Sequence, residues 1–365
     1  MPRKFKALVI GDAMIMGDAF EASAKKNLGA FLGELHTGNW ESDWSKLQPR
    51  RLAVEKQGPE IEVVDALIEA QGKDAELLAG LFIPISSKVM DAMPQLRIAG
   101  VARAGVENVN VKEATARGIL VFNVMGRNAE AVSDFAMGLI LSECRNIARA
   151  HLSIKNGEWR KTFSNSDWVP ELKGKNVGLM GFGYIGRLVA RKLSGFSVNV
   201  LVHDTYVDEA DIKAAGATPV DKETLFKESD FITMHARLLP GGQPMVGAAE
   251  LALMKPTAYL INTARAGLID EKALIAALRA KKIAGAALDV HSSEPIAPDN
   301  EILTLDNVTL TTHIAGTTKE ALTRSPDLLL EDIASLLAGG APHYIVNKEV
   351  LDMPVFKTWL EGVRQ

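Results

Sequence analysis

Three polar residues in the second half of the chain stand just beyond strand-like apolar runs: Arg265 in Asn262-Thr263-Ala264-Arg265-Ala266-Gly267, Glu294 in Ser292-Ser293-Glu294-Pro295, and His313 in Thr311-Thr312-His313-Ile314-Ala315-Gly316. The planar fork of a guanidinium holds carboxylate and carbonyl oxygens together, which a lysine cannot do with the same geometry. An imidazole titrates near neutral pH and so gives or takes a proton, and a carboxylate on its other ring nitrogen orients it and favours imidazolium. Taken singly, each reads first as structural: a surface ion-pair partner, a solvated loop acid, a hydrogen-bonded loop histidine. As a set they share an address, because ligands of parallel α/β sheets bind beyond the carboxyl ends of the strands.

A second constellation is Gly181-Phe182-Gly183-Tyr184-Ile185-Gly186, preceded by the apolar run Val177 to Met180 and followed by a helical pattern from Arg187. In a strand-turn-helix, Gly181 permits the tight turn, Gly183 lets the backbone approach a pyrophosphate, and Gly186 lets helix and strand pack closely. The phosphates then meet the positive end of a helix. A glycine-rich turn alone is weak evidence; what adds weight is Asp204, which closes the next strand where a carboxylate would accept hydrogen bonds from an adenosine ribose. That carboxylate repels a 2′-phosphate, and Thr205-Tyr206 follow it in place of an arginine, so the expected cofactor is NAD, not NADP. Tyr184 and Ile185 lie inside the turn, and His235, Thr263 and Ala264, near the ends of later strands, are expected to line the same dinucleotide. His36, His151, His203 and His343 have no metal-ligand spacing, and no metal is expected.

These groups need a scaffold that delivers them to one edge. Beyond Gly174 the alternation is regular, with strand candidates at 177–180, 198–202, 231–234, 258–261, 286–290 and 308–311 separated by helical patterns. Strands alternating with helices in this way imply a doubly wound, Rossmann-type parallel sheet covered on both faces. The first hundred residues are also α/β, with apolar runs at 61–64, 81–85 and 96–101. Residues 35–60 form a polar stretch with Trp40, Trp44 and Arg50-Arg51 and no clean periodicity, read as an insertion or lid of unassigned structure. Residues 128–150 read as a helix apolar on more than one side, which suits burial between domains or subunits and makes a homodimer the expected assembly.

Composition narrows the function classes. The 365 residues suggest two or three domains, and 47% hydrophobic with 24% charged residues is ordinary globular usage. A net charge of -4 without a polybasic run argues against nucleic acid as a partner. The single Cys144 makes no intrachain disulfide, no apolar run reaches membrane-spanning length, and the start runs into a strand-like segment that Asp12 interrupts, so a cytoplasmic protein without a membrane partner is expected.

Taken in order, the Arg103-Ala104-Gly105 loop, the Asn128-Ala129-Glu130-Ala131-Val132 helix start, the dinucleotide turn, Asp204, Arg265, Ala286-Ala287-Leu288-Asp289-Val290, Glu294-Pro295 and His313 resemble the D-isomer-specific 2-hydroxyacid dehydrogenases, over about residues 90–347. The resemblance implies an NAD-binding Rossmann domain at 125–317 inserted into a flavodoxin-like substrate-binding domain, made of 1–124 and a returning C-terminal segment, 318–365. It implies hydride transfer between NAD(H) and a small D-2-hydroxy or 2-oxo acid. Arg265 would be the clamp, His313 the acid-base and Glu294 its orienting partner, with the nicotinamide carboxamide at Asp289 and the substrate held by Arg103, Ala104, Gly105, Arg265 and His313. The family loop usually carries two glycines around the carboxylate, whereas this chain has Arg103 at the earlier position and continues Val106-Glu107-Asn108; Arg103 is expected either to reach a distal polar or anionic group, hinting at a polyhydroxylated acid, or to pair with a surface acid. The alternatives are an NAD(H)-sensing, corepressor-like binding protein and, among enzymes, a D-3-phosphoglycerate dehydrogenase.

Overall fold

The computed structural model describes residues 3–238 and 241–365; Met1 and Pro2, at the head of the expected first segment, and Leu239-Pro240 lie outside the described residues. The chain divides into two units, one made of the residues up to Arg127 with Thr318–Gln365, the other of Asn128–Thr317.

The first unit is built on a parallel sheet with strands in the order β2-β1-β3-β4-β5, where β1 is Phe5–Gly11, β2 Leu32–Asn39, β3 Ala75–Gly80, β4 Ile98–Val101 and β5 Leu120–Phe122. Four of these strands are buried almost throughout, as parallel strands covered on both faces must be. Edge strand β2 is mostly half-exposed, which explains its polar, unperiodic sequence. The rest of the stretch read as an insertion is the helix Trp44–Gln57, capped by Asp43, whose carboxylate accepts from Ser45 N at 2.9 Å, and ended at Gly58, whose φ of +87° favours glycine. Arg50 ties that helix to Glu41 (3.1 Å) and Glu62 (2.7 Å). Two expectations fail here. Residues 61–64 form no strand, Ile61 and Val63 being exposed, and the strand expected at 81–85 lies earlier, at β3, with the apolar run forming the buried loop beyond it. The C-terminal stretch runs back along β5: Val346 N donates to Val121 O and Asn123 N to Tyr344 O.

The second unit holds a seven-stranded parallel sheet in the order β12-β11-β10-β9-β6-β7-β8. Its strands are β6 Asn176–Met180, β7 Asn199–His203, β8 Thr218–Pro219, β9 Phe231–Met234, β10 Tyr259–Asn262, β11 Gly285–Leu288 and β12 Val308–Leu310. Apolar clusters pack on both faces, one around Phe182, Val189, Phe231 and Tyr259, the other around Phe226, Ile232, Leu260 and Leu278. The helix expected over 128–150 is two, Ala129–Cys144 and Ile147–Lys155, broken where Asn146 turns into the left-handed region at φ +58°. Buried Glu143 pairs with Arg149 across that corner and accepts from Thr309 Oγ1 at 2.6 Å, fastening the helix to β12. Among the described residues no helix is long and apolar enough to cross a membrane.

Candidate active site

In the second unit, β6 delivers the glycine turn. Gly181 has φ +102°, and a Cβ there would lie 2.6 Å from Ala236 N. A Cβ on Gly186 would lie 2.3 Å from Gly181 O, so the first turn of helix Tyr184–Leu193 packs directly on the end of β6. Gly183 precedes that helix with nothing within 4 Å of the place its Cβ would take. The turn is thus closed at two glycines and open at the middle one, where the helix N-terminus presents its unpaired N–H groups. Tyr184 is exposed and Ile185 half-buried at the same end.

Asp204, just past β7, is the second component. Its Oδ2 accepts from Phe182 N at 2.7 Å and its Oδ1 from Tyr206 N (2.7 Å) and Val207 N (3.1 Å), so the carboxylate is fixed beside the turn. His235, past β9, lies under the turn with Nε2 3.0 Å from Thr233 Oγ1, and burial pushes its imidazole down to about 3. The buried Nδ1 of His235 and Oγ1 of Thr263 have no hydrogen-bond partner among the described residues. An open glycine at a helix N-terminus, a fixed carboxylate beyond the next strand and two orphaned buried polar atoms fit a dinucleotide.

The candidate reacting groups sit beyond the neighbouring strands. Asn262, at the end of β10, organises the turn after it, accepting from Ala264 N at 3.0 Å and donating to Arg265 O at 2.9 Å. Arg265 is exposed, with Nη1 on Ala264 O at 2.8 Å and no ion pair among the described residues, so its fork is free for a ligand. His313 and Glu294 are brought together at 2.8 Å between Nδ1 and Oε2. The second oxygen of Glu294 accepts from His291 N at 3.0 Å. Burial raises the Glu294 carboxyl, but the hydrogen bonds from His313 and His291 N and the charges of both rings outweigh it and hold the group below the usual carboxylate range. With Nδ1 given to Glu294, Nε2 is left for a substrate.

His313 adopts φ +58°, unusual for a residue with a side chain and costing on the order of 1 kcal/mol. What holds it there is Asp289, a fully buried carboxylate that accepts from Thr311 Oγ1 (2.6 Å), Ile314 N (3.0 Å) and Ala315 N (2.8 Å). These bonds bracket His313 on both sides. Asp289, singled out for a nicotinamide contact, is therefore also the anchor of the histidine loop, a role sequence reasoning missed. The loop ends at Gly316, whose Cβ would lie 2.2 Å from Asn128 Nδ2, at the opposite end of the unit's chain.

In the first unit, the Arg103-Ala104-Gly105 loop follows β4, fixed by Val124 N on Arg103 O (2.9 Å) and Asn123 Nδ2 on Ala104 O (2.7 Å). Arg103 pairs with acids, Glu55 at 2.7 Å and Glu107 at 3.2 Å. Three further groups of this edge were given no role there from the sequence. Asp12 is fully buried beyond β1 and accepts from Met14 N (2.9 Å), Ile15 N (3.3 Å) and Phe82 N (3.2 Å), with burial pushing its carboxyl up to about 6 against the pull of those bonds and Arg51. Arg127 is pushed down to about 10, by burial and then by the charge of Arg103. Arg51 lies with its guanidinium 5.4 Å from the Phe82 ring centre. The one local signal was an acid directly after an apolar strand, at Asp12.

The sequence profile of the D-isomer specific 2-hydroxyacid dehydrogenase NAD-binding domain matches residues 137–315. The chain is 37% identical over 286 residues to a glyoxylate reductase of Korarchaeum cryptofilum, covering 76% of this chain and 85% of that one. It is 39% identical over 253 residues to a hydroxypyruvate reductase of Thermotoga maritima, covering 68% and 80%. A D-3-phosphoglycerate dehydrogenase of Methanocaldococcus jannaschii matches at 38% identity over 79% of this chain but only 55% of its own length. Among solved structures, a glyoxylate reductase from Paecilomyes thermophila superposes with a TM-score of 0.71 at 26% identity, covering 96% of this chain and 100% of that one.

Proposed function

The chain belongs to the D-isomer specific 2-hydroxyacid dehydrogenases, and from that membership we propose that it reduces a small 2-oxo acid to the D-2-hydroxy acid, and runs the reverse, with Arg265, Glu294 and His313 as its reacting groups. NAD is the cofactor, and its nicotinamide supplies or takes up the hydride. The observation that carries the reading is the 2.8 Å pair of His313 and Glu294 on the same sheet edge as the dinucleotide turn.

The residues divide the work as follows. Gly181, Gly183, Tyr184, Ile185 and Gly186 seat the pyrophosphate and Asp204 takes the ribose, with His235, Thr263 and Ala264 lining the dinucleotide and Asp289 reaching the carboxamide. The Arg265 fork holds carboxylate and carbonyl oxygens and polarises the carbonyl for hydride attack. His313 Nε2 gives its proton to the oxygen that becomes the hydroxyl, and takes it back in the oxidative direction. Glu294, kept ionised, holds the ring at Nδ1 and stabilises the imidazolium. Ala104 and Gly105, through their N–H groups, and Arg103, toward the part of the substrate away from its carboxylate, are the first unit's contributions in this proposal. We further propose a homodimer, because Ile147, Leu152, Ile154, Trp159 and Trp168 crowd exposed apolar surface into one segment of the second unit, and a cytoplasmic enzyme with no nucleic-acid partner. The test is NADH oxidation by the purified protein with glyoxylate, hydroxypyruvate, pyruvate and longer 2-oxo acids. Turnover of at least one is expected; NADH binding without turnover across the panel refutes the proposal and favours a cofactor-sensing protein.

A further inference from the structure

The first unit surrounds Arg103 with acids to which the proposed reaction gives no role. Strand β1 is flanked by β2 on one side and β3 on the other, so the chain leaves β1 and β3 in opposite directions and opens a crevice at their carboxyl ends. Asp12 follows β1 and Phe82 follows β3, joined by the bond from Phe82 N to Asp12 at 3.2 Å. Two guanidinium groups lie over the Phe82 ring, Arg103 at 4.8 Å and Arg51 at 5.4 Å from its centre. Arg51 and Glu55 come from the helix Trp44–Gln57, and Glu55 lies 3.5 Å from Arg51 and 2.7 Å from Arg103. Glu107 reaches the same Nη2 of Arg103 at 3.2 Å, while Nη1 is buried without a partner among the described residues.

Charge decides what this crevice accepts. Arg51, Arg103 and Arg127 are matched by Asp12, Glu55 and Glu107, so no net positive field is left over for an anion, and the two glutamates already hold the anion positions on Arg103. A phosphate or second carboxylate would have to push against both. A hydroxyl both donates and accepts: it can give its proton to Glu55 or Glu107 and take one from Arg103. Resting on the 2-oxo acid reading above, we propose that Glu55, Glu107 and Arg103 form a distal subsite that selects an uncharged, hydroxyl-bearing tail on the substrate and turns away tails ending in phosphate or carboxylate.

The experiment compares kcat/KM for hydroxypyruvate, 3-phosphohydroxypyruvate, oxaloacetate and pyruvate with NADH. Hydroxypyruvate should exceed each of the other three by at least tenfold. Glu55→Gln and Glu107→Gln, each checked for a cooperative melt, should cut the ratio of hydroxypyruvate to 3-phosphohydroxypyruvate by tenfold or more. A merely structural loss would lower both rates together and leave that ratio alone. A wild-type preference for the phosphorylated or dicarboxylic acid, or an unchanged ratio in both variants, overturns the proposal. Melting temperature with D-glycerate and with 3-phospho-D-glycerate, without cofactor, separates the two readings. If no 2-oxo acid is reduced but D-glycerate alone stabilises the protein, the catalytic reading fails and the subsite stands; stabilisation by neither, or by the phosphorylated acid, removes the subsite.

Discussion

Replacing Gly183 and Gly186 separately by alanine should produce opposite phenotypes, although both belong to one six-residue turn. At Gly186 the added methyl would sit 2.3 Å from Gly181 O, against the 3.0 Å below which real Cβ contacts essentially do not occur. The obstacle is backbone at the end of a central strand, so helix Tyr184–Leu193 must shift, an overpacking cost of about 1–3 kcal/mol in the protein alone. At Gly183 nothing lies within 4 Å of the new methyl and φ is −73°, which alanine adopts freely. Stability there should change by no more than about 0.5 kcal/mol, the reduced freedom of the unfolded chain offsetting a poorer helix cap. The space the methyl fills is the space assigned to the pyrophosphate. The same overlap of about 1–3 kcal/mol then falls on the complex, weakening NADH roughly 5- to 150-fold. The assays are urea denaturation without cofactor and NADH titration by fluorescence. Gly186→Ala should lose stability and binding together, Gly183→Ala binding alone. Normal NADH affinity in Gly183→Ala would refute the placement of the phosphates at this turn.

Other consequences can be measured directly. His313→Ala should lower turnover by about 10²–10⁴-fold while NADH still binds by titration; near-wild-type turnover would remove His313 from proton transfer. Because the folded Glu294 carboxyl lies below its usual value, its pairing contributes above about pH 4.3 and is lost as pH falls through the depressed value, so melting curves of wild type and Glu294→Gln should differ at pH 7 and converge in acid. His235 is held down at about 3 by burial, so the unfolded chain takes up a proton below about 6.5 that the folded one refuses. Unfolding free energy should fall by up to about 1.4 kcal/mol per pH unit over that window, and His235→Asn, followed by urea denaturation at several pH values, should flatten that limb. Arg149→Met strands the buried Glu143 carboxylate and should cost about 3–5 kcal/mol, much of it recovered in the double variant with Glu143→Gln.

The parallel sheets were legible because strands buried on both faces must read as unbroken apolar runs, as 177–180 and 231–234 do. The same rule misplaced β3. Glu76 lies within it and is satisfied by Arg3 and by Trp359 Nε1, partners from both ends of the chain that no window around residue 76 contains. The apolar 81–85 run that took its place is a loop, buried because it lies under the Arg51 and Arg103 side chains. The strand-end address of Arg265, Glu294 and His313 was readable from residue type and position, and the structure pairs the last two. What was not readable was the support beneath it: Asp289 anchors the His313 loop by accepting from backbone N–H groups, which every residue type except proline offers. Arg103 shows the limit from the other side, since which acids it meets depends on a helix that brings Glu55 from 48 positions earlier.

Asn128 packed against Gly316 has a consequence for the gene as much as for the protein. The entry and exit of the residues Asn128–Thr317 are stapled side by side, so the whole nucleotide-binding insert is a cassette with coincident ends. Domains whose termini neighbour one another are, as a class, the ones that tolerate insertion and permutation.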